Sequence, residues 1–509
     1  KVQDGPKTKT LDVWSRGHAK AININEPVPT PDGWKNHGDL VPGDYVFGIN
    51  GKPVEVVAKT EVFTDRECYR VTFDKGYSVV VSGDHLWTVN LPSKKRINGS
   101  NTREGRKIET IDTIQLMEEV NRSNSTKTRI RPTINTCSPV EYREKILPID
   151  PYVLGYWLGD GTTGAAVITV SLDDLADVSK SFIDAGHTCT KRKNIRNATS
   201  FIVDKRDKRF CVRGHNREEV GVYKHSCIEC KNIDYLHRKD RSLKPKSTVN
   251  TLSWRLRALG LLNDGNKKNQ NNYKHVPEIY KQSSVSQRLA LLQGLMDSDG
   301  ACDTRGTASF SNTNEVLAGD VFEVAASLGL KPNKIKITSK YNNLPYYYWH
   351  VSFQCHSNKF PIFRLQRKQN RATTSITFQA KTHAVVSVEK MGKVPCSCIQ
   401  VDTADGQYLI GKHFIPTHNS TILTKAETIQ YHLRNPEHCT CIFSFNKPTA
   451  EAFVKSIKEA YELPFMMSCF PDVLYNAEER KDSSSWSVQN GISIKRKNRT
   501  RTESTVMAS

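Results

Sequence analysis

Phe414-Ile415-Pro416-Thr417-His418-Asn419-Ser420 is the stretch on which the reading of this chain turns. Alone it is polar loop chemistry. It gains meaning because the residues after Ser420 continue a phrase broken off near residue 20. The N-terminal segment reads Trp14-Ser15-Arg16-Gly17-His18-Ala19-Lys20 and changes character at Ala21, whereas Ser420-Thr421 opens a helix-like run, ILTKAETIQYHL. Joined, SRGHAK and ST give a glycine-containing turn followed by Lys-Ser-Thr at a helix start, a pattern that can cradle phosphate. Residues 21–419 lie between its Lys20 and its Ser420.

At 509 residues the chain is too long for one hydrophobic core, and three or more domains are expected. The formal net charge of +21, spread through the middle of the chain, favours a polyanionic partner, most simply nucleic acid. No apolar run approaches the roughly 18 residues that span a bilayer, and no signal peptide precedes the first domain. The thirteen cysteines form no evenly spaced disulfide framework, so they point to metal binding or thiol chemistry. A chain that starts at Lys1 and stops at Ser509 in polar sequence reads as a piece of a longer product.

Residues 21–145 read as β-rich, with turns at 29–34 and 41–54 and two period-two strands, Tyr69–Phe73 and Tyr77–Val81, about a Lys75-Gly76 turn. The polar, basic segment 95–110 is expected to be a loop. Residues 150–385 mix helix and strand, and β character resumes at 385–410. Residues 21–145 and 385–419 are therefore expected to form one domain split by a long insert. Within the insert, VLGYWLGDG (153–161) is echoed by LLQGLMDSDG (291–300). Each is followed by a strand-like segment, AVITVS or TASFSN, and then by a helix closing on Gly.

Each echoed segment is an apolar helix ending in an acidic residue followed by Gly. Gly155, Gly159 and Gly294 let two such helices approach closely, which would bring Asp160 and Asp299 together at their ends. Paired carboxylates suit Mg²⁺ held against phosphate oxygens for in-line displacement. These residues resemble the LAGLIDADG, or dodecapeptide-type, homing endonucleases over roughly residues 150–380. The resemblance implies a monomeric two-lobed α+β enzyme whose curved sheets sit on double-stranded DNA. Asp160 and Asp299 would be its metal ligands, and Lys274, in Tyr273-Lys274-His275-Val276-Pro277, an active-site lysine.

Cys211-x3-His215 and Cys227-x2-Cys230 have the spacing of a tetrahedral Cys3His set for structural Zn²⁺, flanked by basic residues suited to phosphate. This finger is inserted in the first endonuclease lobe, over 207–240.

The end of the split β unit suggests chemistry that breaks the backbone. An Asn419 side-chain amide can attack its own carbonyl, closing a succinimide and cleaving the next peptide bond. His418 can polarise that carbonyl or protonate the leaving amine, and the Ser420 hydroxyl can accept an acyl group. Upstream, Ser82-Gly83-Asp84-His85 ends a strand, from which His85 could protonate the amide nitrogen of a scissile bond. These features resemble an intein, a self-splicing insert of the all-β Hint fold. Most inteins begin with Cys or Ser; here the first residue is Ala21, whose methyl group does no such chemistry, and Cys398 stands where ordinary inteins place Asp. Trp87, Cys398 and Thr417 resemble the set of the class 3 inteins. That resemblance implies that Cys398 attacks the Lys20–Ala21 bond to form a branched thioester. The acyl group then passes to Ser420, Asn419 cyclises, and Lys20 is ligated to Ser420 without a cofactor. A competing reading is a precursor inactive in splicing, engineered at Ala21 or degenerate, acting only as a zinc-containing DNA-binding endonuclease.

The spliced flanks, with the strand Cys439–Phe445 after the loop, resemble the α/β ATPase domain of phage terminase large subunits, although Ala19 stands where the loop's second Gly belongs. This resemblance implies ATP and Mg²⁺ held by Gly17, Lys20, Ser420 and Thr421 only after splicing, and a cytoplasmic location in a phage-infected bacterial cell. The expected layout is host residues 1–20, splicing domain 21–145, endonuclease 146–384, splicing domain 385–419 and host residues 420–509.

Overall fold

The computed structural model describes residues 20–97, 101–125, 130–192, 194, 197–204, 222–223, 226–227, 251–262, 274–341, 344–355, 361–373, 382–403, 405–418, 428–436, 439–442, 447–483, 485–495 and 506–508. The chain divides into two units, residues 1–137 with 382–509, and residues 138–381. Among the described residues no helix is long and apolar enough to cross a membrane.

The first unit is built on an antiparallel sheet of eight strands. In spatial order they are Cys396–Ser397, Ile22–Asn23, Ser78–Ser82, Glu67–Phe73, Thr382–Lys393, Thr133–Asn135, Leu86–Ile97 and Asn101–Asp112. Thr382–Lys393 lies between Glu67–Phe73 and Thr133–Asn135, so segments far apart in sequence share one ladder and one core. Period-two alternation drives this: Val71, Phe73, Val79, Val81, Trp87, Val89, Val385 and Ile399 all point into a common cluster. The hairpin between Glu67–Phe73 and Ser78–Ser82 turns at Lys75 and Gly76, both at positive φ (81° and 82°). Two successive left-handed residues make the twist of this turn match that of the strands it joins.

Segment 95–110 is not a loop. Leu86–Ile97 and Asn101–Asp112 pair continuously from Leu86↔Asp112 to Ile97↔Asn101. The base of this ribbon is buried through Trp87, Val89 and Leu91, while Arg106, Lys107 and Ile108 are exposed. In sequence, residues 93–106 lack the apolar alternation by which a strand is recognised.

The described residues after position 427 include the helices Thr428–Arg434 and Lys447–Tyr461 and a four-stranded sheet in which Thr440–Ile442 runs parallel to Val506–Ala508. Ile429, Val454, Ile457, Tyr461, Leu474 and Ile492 form their core.

The second unit is organised around the helices Pro151–Asp160 and Val285–Ser298. The first starts with Pro151 behind an Asp150 cap that accepts from the Val153 amide; the second starts with a reciprocal Ser284/Gln287 capping box. Their contact depends on glycine. A Cβ on Gly155 would lie 2.1 Å from the Leu291 carbonyl oxygen, and one on Gly294 2.2 Å from that of Tyr152. Each helix is followed by a strand, Val167–Ser171 or Thr307–Asn312, and by a second helix, Leu175–Asp184 or Glu315–Ser327. Those second helices close at Gly186 (φ 86°) and Gly329 (φ 73°), in the left-handed conformation that ends a helix.

Candidate functional site

Ala21 sits at the centre of the first unit's site, fully buried between two strands. Ile22 pairs with Ser397 and Asn23 with Cys396, so the same antiparallel register carried one residue further sets Cys398 opposite Ala21. On the other side, Ile22 pairs with Val81, which sets Ser82 opposite Ala21. Two hydrogen bonds fix this: the Ala21 amide donates to Ser82 Oγ at 3.0 Å, and the Ser82 amide donates to the Ala21 carbonyl at 2.8 Å. Ser82 Oγ in turn donates to Asp84 Oδ1 at 2.5 Å, and Arg66 donates to Asp84 Oδ2 at 3.2 Å. The Lys20–Ala21 amide nitrogen is thus held by a serine anchored through Asp84 to Arg66.

His85 does not face that nitrogen. Its Nδ1 lies 3.2 Å from the carbonyl oxygen of Lys20, while its Nε2 lies 2.5 Å from Thr417 Oγ1. A carbonyl oxygen only accepts, so Nδ1 carries the proton and donates. Nε2 is then the acceptor, and the Thr417 hydroxyl donates to it. Burial pushes the His85 imidazole down to about 3, against the opposing effect of the Lys20 carbonyl, and the ring is neutral at physiological pH. Trp87 packs edge-on to His85 with ring centres 5.0 Å apart. Its Nε1 donates to Thr113 Oγ1 at 3.1 Å, and Thr113 donates to the His85 carbonyl at 3.0 Å. Trp87 and Thr417 thus both act on the same imidazole.

Cys398 is buried, with its amide donating to Thr60 Oγ1 at 3.0 Å and its carbonyl accepting from the Thr60 amide at 2.9 Å. The Lys20 ammonium is drawn down to about 8 by burial, with the neighbouring Cys398 and Asp84 opposing that shift. Two more buried thiols, Cys68 and Cys396, pack against Ala21 and Phe63.

Thr417 and His418 end the strand Ile415–His418. His418 Nε2 lies 2.5 Å from Thr88 Oγ1, and burial lowers its imidazole to about 4. Asn419, Ser420, Thr421 and Gly17 lie outside the described residues.

In the second unit, Asp160 is the last residue of the first glycine-packed helix and Asp299 caps the second. Gly159 brings these ends together, since a Cβ there would lie 2.0 Å from Ser298 Oγ. Burial, then the Asp299 charge, raises Asp160 to about 6; burial also raises Asp299. Lys274 Nζ donates to the carbonyls of Gly159 (3.0 Å) and Gly161 (2.6 Å), spanning the first helix end. Lys368, which sequence reasoning passed over, does the same at the second end, donating to Met296 (2.9 Å), Asp297 (2.6 Å), Ser298 (3.2 Å) and Gly300 (2.7 Å). No motif surrounds Lys368. The parallel order of the two repeats, each of which needs a cation at its helix C-terminus, is the signal that could have found it. Cys211, His215 and Cys230 lie outside the described residues, and of Cys227 only the backbone is described, in the strand Ser226–Cys227. Among the described residues no three His, Cys, Asp or Glu side chains come together as a metal site.

No protein-family model matches the chain. Among curated proteins it is similar to the replicative DNA helicase DnaB of Mycobacterium intracellulare, 28% identical over 416 residues. That match takes in 80% of this chain, which spans 59% of the length of the relative. It is 39% identical over 71 residues to DnaB of Mycobacterium leprae (strain TN), covering 14% of this chain and 12% of that protein. Among solved structures it is similar to the MchDnaB-1 intein, with 42% identity over 14% of this chain and 53% of that chain, TM-score 0.13. The Msm DnaB1 intein splicing domain bound with zinc shows 28% identity over 18% of this chain and 88% of that chain, TM-score 0.14. The host read from the flanks is corrected by these relatives, which are replicative helicases rather than a terminase large subunit. A Lys-Ser-Thr turn before a helix serves ATPases of many kinds, so SRGHAK–ST does not discriminate among them.

Proposed function

We propose that residues 21–419 are a self-splicing insert that carries its own DNA-cleaving unit. The observation that carries this reading is the placing of the Lys20–Ala21 bond: its carbonyl on His85, its nitrogen on Ser82, and Cys398 next along the chain from the Ser397 that pairs with Ile22. Cys398 Sγ attacks the Lys20 carbonyl carbon while His85 Nδ1–H stabilises the charge that develops on the oxygen. The bond to the Ala21 nitrogen breaks, and that nitrogen leaves as an amine carrying the proton the thiol gave up. Ser420 Oγ then attacks the thioester, and the sulfur leaves as thiol. The Asn419 side-chain nitrogen closes on its own carbonyl carbon and expels the Ser420 amine. That amine takes the acyl group from its own oxygen, restoring a peptide bond between Lys20 and Ser420.

The second unit is read as the endonuclease. Asp160 and Asp299 offer hard oxygen donors whose mutual repulsion a divalent cation would relieve, so the pair fits Mg²⁺. When bound, the ion supplies positive charge to the oxygens of a scissile phosphodiester. Lys274 and Lys368 hold the two helix ends that carry the acids. Lys334 and Lys336, lying over Trp349 and Tyr347, give the four-stranded sheet a basic, aromatic surface suited to duplex DNA. On spacing alone, Cys211, His215, Cys227 and Cys230 would hold a structural zinc. The similarity to two helicases supports a DnaB-like host, in which Lys20 and Ser420 would meet nucleotide only after ligation.

The splicing reading is tested by trapping. An Asn419→Ala precursor should accumulate a branched species from which hydroxylamine releases the segment ending at Lys20. Adding Cys398→Ala should remove both the branch and the release. Release that survives Cys398→Ala overturns the assigned nucleophile.

A further inference from the structure

The two imidazoles of the splicing site are held in one reciprocal pattern. The stretch 85–88 supplies His85 and Thr88, the end of Ile415–His418 supplies Thr417 and His418, and each histidine takes a threonine hydroxyl from the other segment at Nε2. Thr417 serves a carbonyl-bound histidine. Thr88 has no role in the chemistry set out above, yet its hydroxyl is 2.5 Å from His418 Nε2 and 3.2 Å from Thr110 Oγ1. Thr88 and Thr110 are directly opposed across the base of the long ribbon, so two strands fix this contact.

We propose that Thr88, backed by Thr110, is a positioning residue that sets the tautomer of His418 and so times cleavage at the Asn419–Ser420 bond. A hydroxyl has one proton. If Thr110 donates to Thr88 Oγ1, the Thr88 proton is free for His418 Nε2, and the His418 proton then resides on Nδ1. This is the tautomer that geometry imposes on His85. It leaves Nδ1–H of His418 as the donor that can polarise the Asn419 carbonyl when the side-chain amide closes on it. Burial keeps the ring uncharged, so its usefulness depends on which nitrogen bears the hydrogen. Thr88 is half-buried and Thr110 exposed, so the relay runs from solvent to the imidazole and can be refilled by water. Which nitrogen of an imidazole bears the proton is set by the hydrogen bond that the other nitrogen makes.

The proposal rests on the splicing reading, and its test separates the two. The parent, Thr88→Val, Thr88→Ser and Thr110→Val precursors are followed by mass spectrometry through branch formation and through release at Asn419. Thr88→Val should leave branch formation within about twofold of the parent and slow release by roughly 10–100-fold, the span of one positioned proton donor. Thr88→Ser should recover most of the rate, and Thr110→Val should give a smaller loss. In the Cys398→Ala precursor, the ¹⁵N resonances of His418 should show Nδ1 protonated and Nε2 bare, with the proton moving toward Nε2 on Thr88→Val. Unchanged release in Thr88→Val, or an Nε2-protonated ring in the parent, overturns the proposal. Equal slowing of both steps in Thr88→Val with no rescue by Thr88→Ser also overturns it, since that is a structural effect. A parent that forms no branch fails the splicing reading instead.

Discussion

His85 Nε2 and Thr417 Oγ1 stand 2.5 Å apart although 332 positions separate them in sequence. The Lys20 carbonyl can only accept, so it holds the His85 proton on Nδ1 and leaves Nε2 to take the Thr417 hydroxyl proton. The imidazole on the Lys20 carbonyl is thus held from the far strand Ile415–His418.

Removing that hydroxyl should therefore slow the first step, not only the last. Thr417→Val is expected to cut the rate of branched-thioester formation by roughly 10–100-fold, the scale of losing one well-placed donor, with Thr417→Ser close to the parent. Quenched time courses resolved by mass measure it, and an unchanged first step contradicts it.

The buried imidazoles set an acid limit. Burial holds His85 at about 3 and His418 at about 4, both below the ordinary 6.5. The unfolded chain binds these protons first, so their stabilising contribution is present above about pH 6.5 and is lost as pH falls toward the folded values. In a precursor silenced by Cys398→Ala and Asn419→Ala, Tm should fall steadily from pH 7 to pH 4.5. A flat profile over that window contradicts the buried, neutral assignment.

The acid pair of the second unit behaves oppositely. Asp160 is raised to about 6, so the folded state binds protons more tightly than the unfolded one, and the stability this gives below the unfolded value is lost as pH rises through about 6. At pH 7.5 without divalent cations, Asp160→Asn should be at least as stable as the parent. Mg²⁺ should raise the Tm of the parent alone, and the variant should not cut a DNA carrying the uninterrupted host site. Cutting by the variant, or equal stabilisation of both proteins, contradicts the pairing.

Gly155 tests the helix contact. A methyl group there has no space against the Leu291 carbonyl, so Gly155→Ala should destabilise the second unit by about 1–3 kcal/mol, despite alanine's better helix propensity. Calorimetry should show a lowered transition; an unchanged or raised one would mean the helices do not touch at that residue.

What could be read from the sequence was whatever short spacing dictates. The turn at Lys75-Gly76 and the repeated helix ends at Asp160 and Asp299 follow from local geometry, because a left-handed turn needs such residues and a close helix crossing needs glycine. The Cys398–Ala21 register was not legible in that way, since pairing between strands hundreds of residues apart leaves no local trace. Nor was the Leu86–Asp112 ribbon, whose outer half carries no apolar alternation in its sequence. Sequence set His85 toward the amide nitrogen, whereas in the structure it meets the Lys20 carbonyl. Which atom an imidazole faces depends on the competing hydrogen bonds, and here Ser82 had already taken the nitrogen. Thr88 and Lys368 lie outside any motif and matter only through what folding brings to them.

In the proposed splicing, the Lys20–Ala21 and Asn419–Ser420 bonds are exchanged for one Lys20–Ser420 bond. Incubating the purified precursor and weighing its products tests this most directly. The account predicts a fragment with the mass of residues 21–419, less the water lost on forming its terminal succinimide, together with a second product whose tandem spectrum reads through Lys20 into Ser420. A precursor whose mass stays unchanged while it remains folded would contradict it.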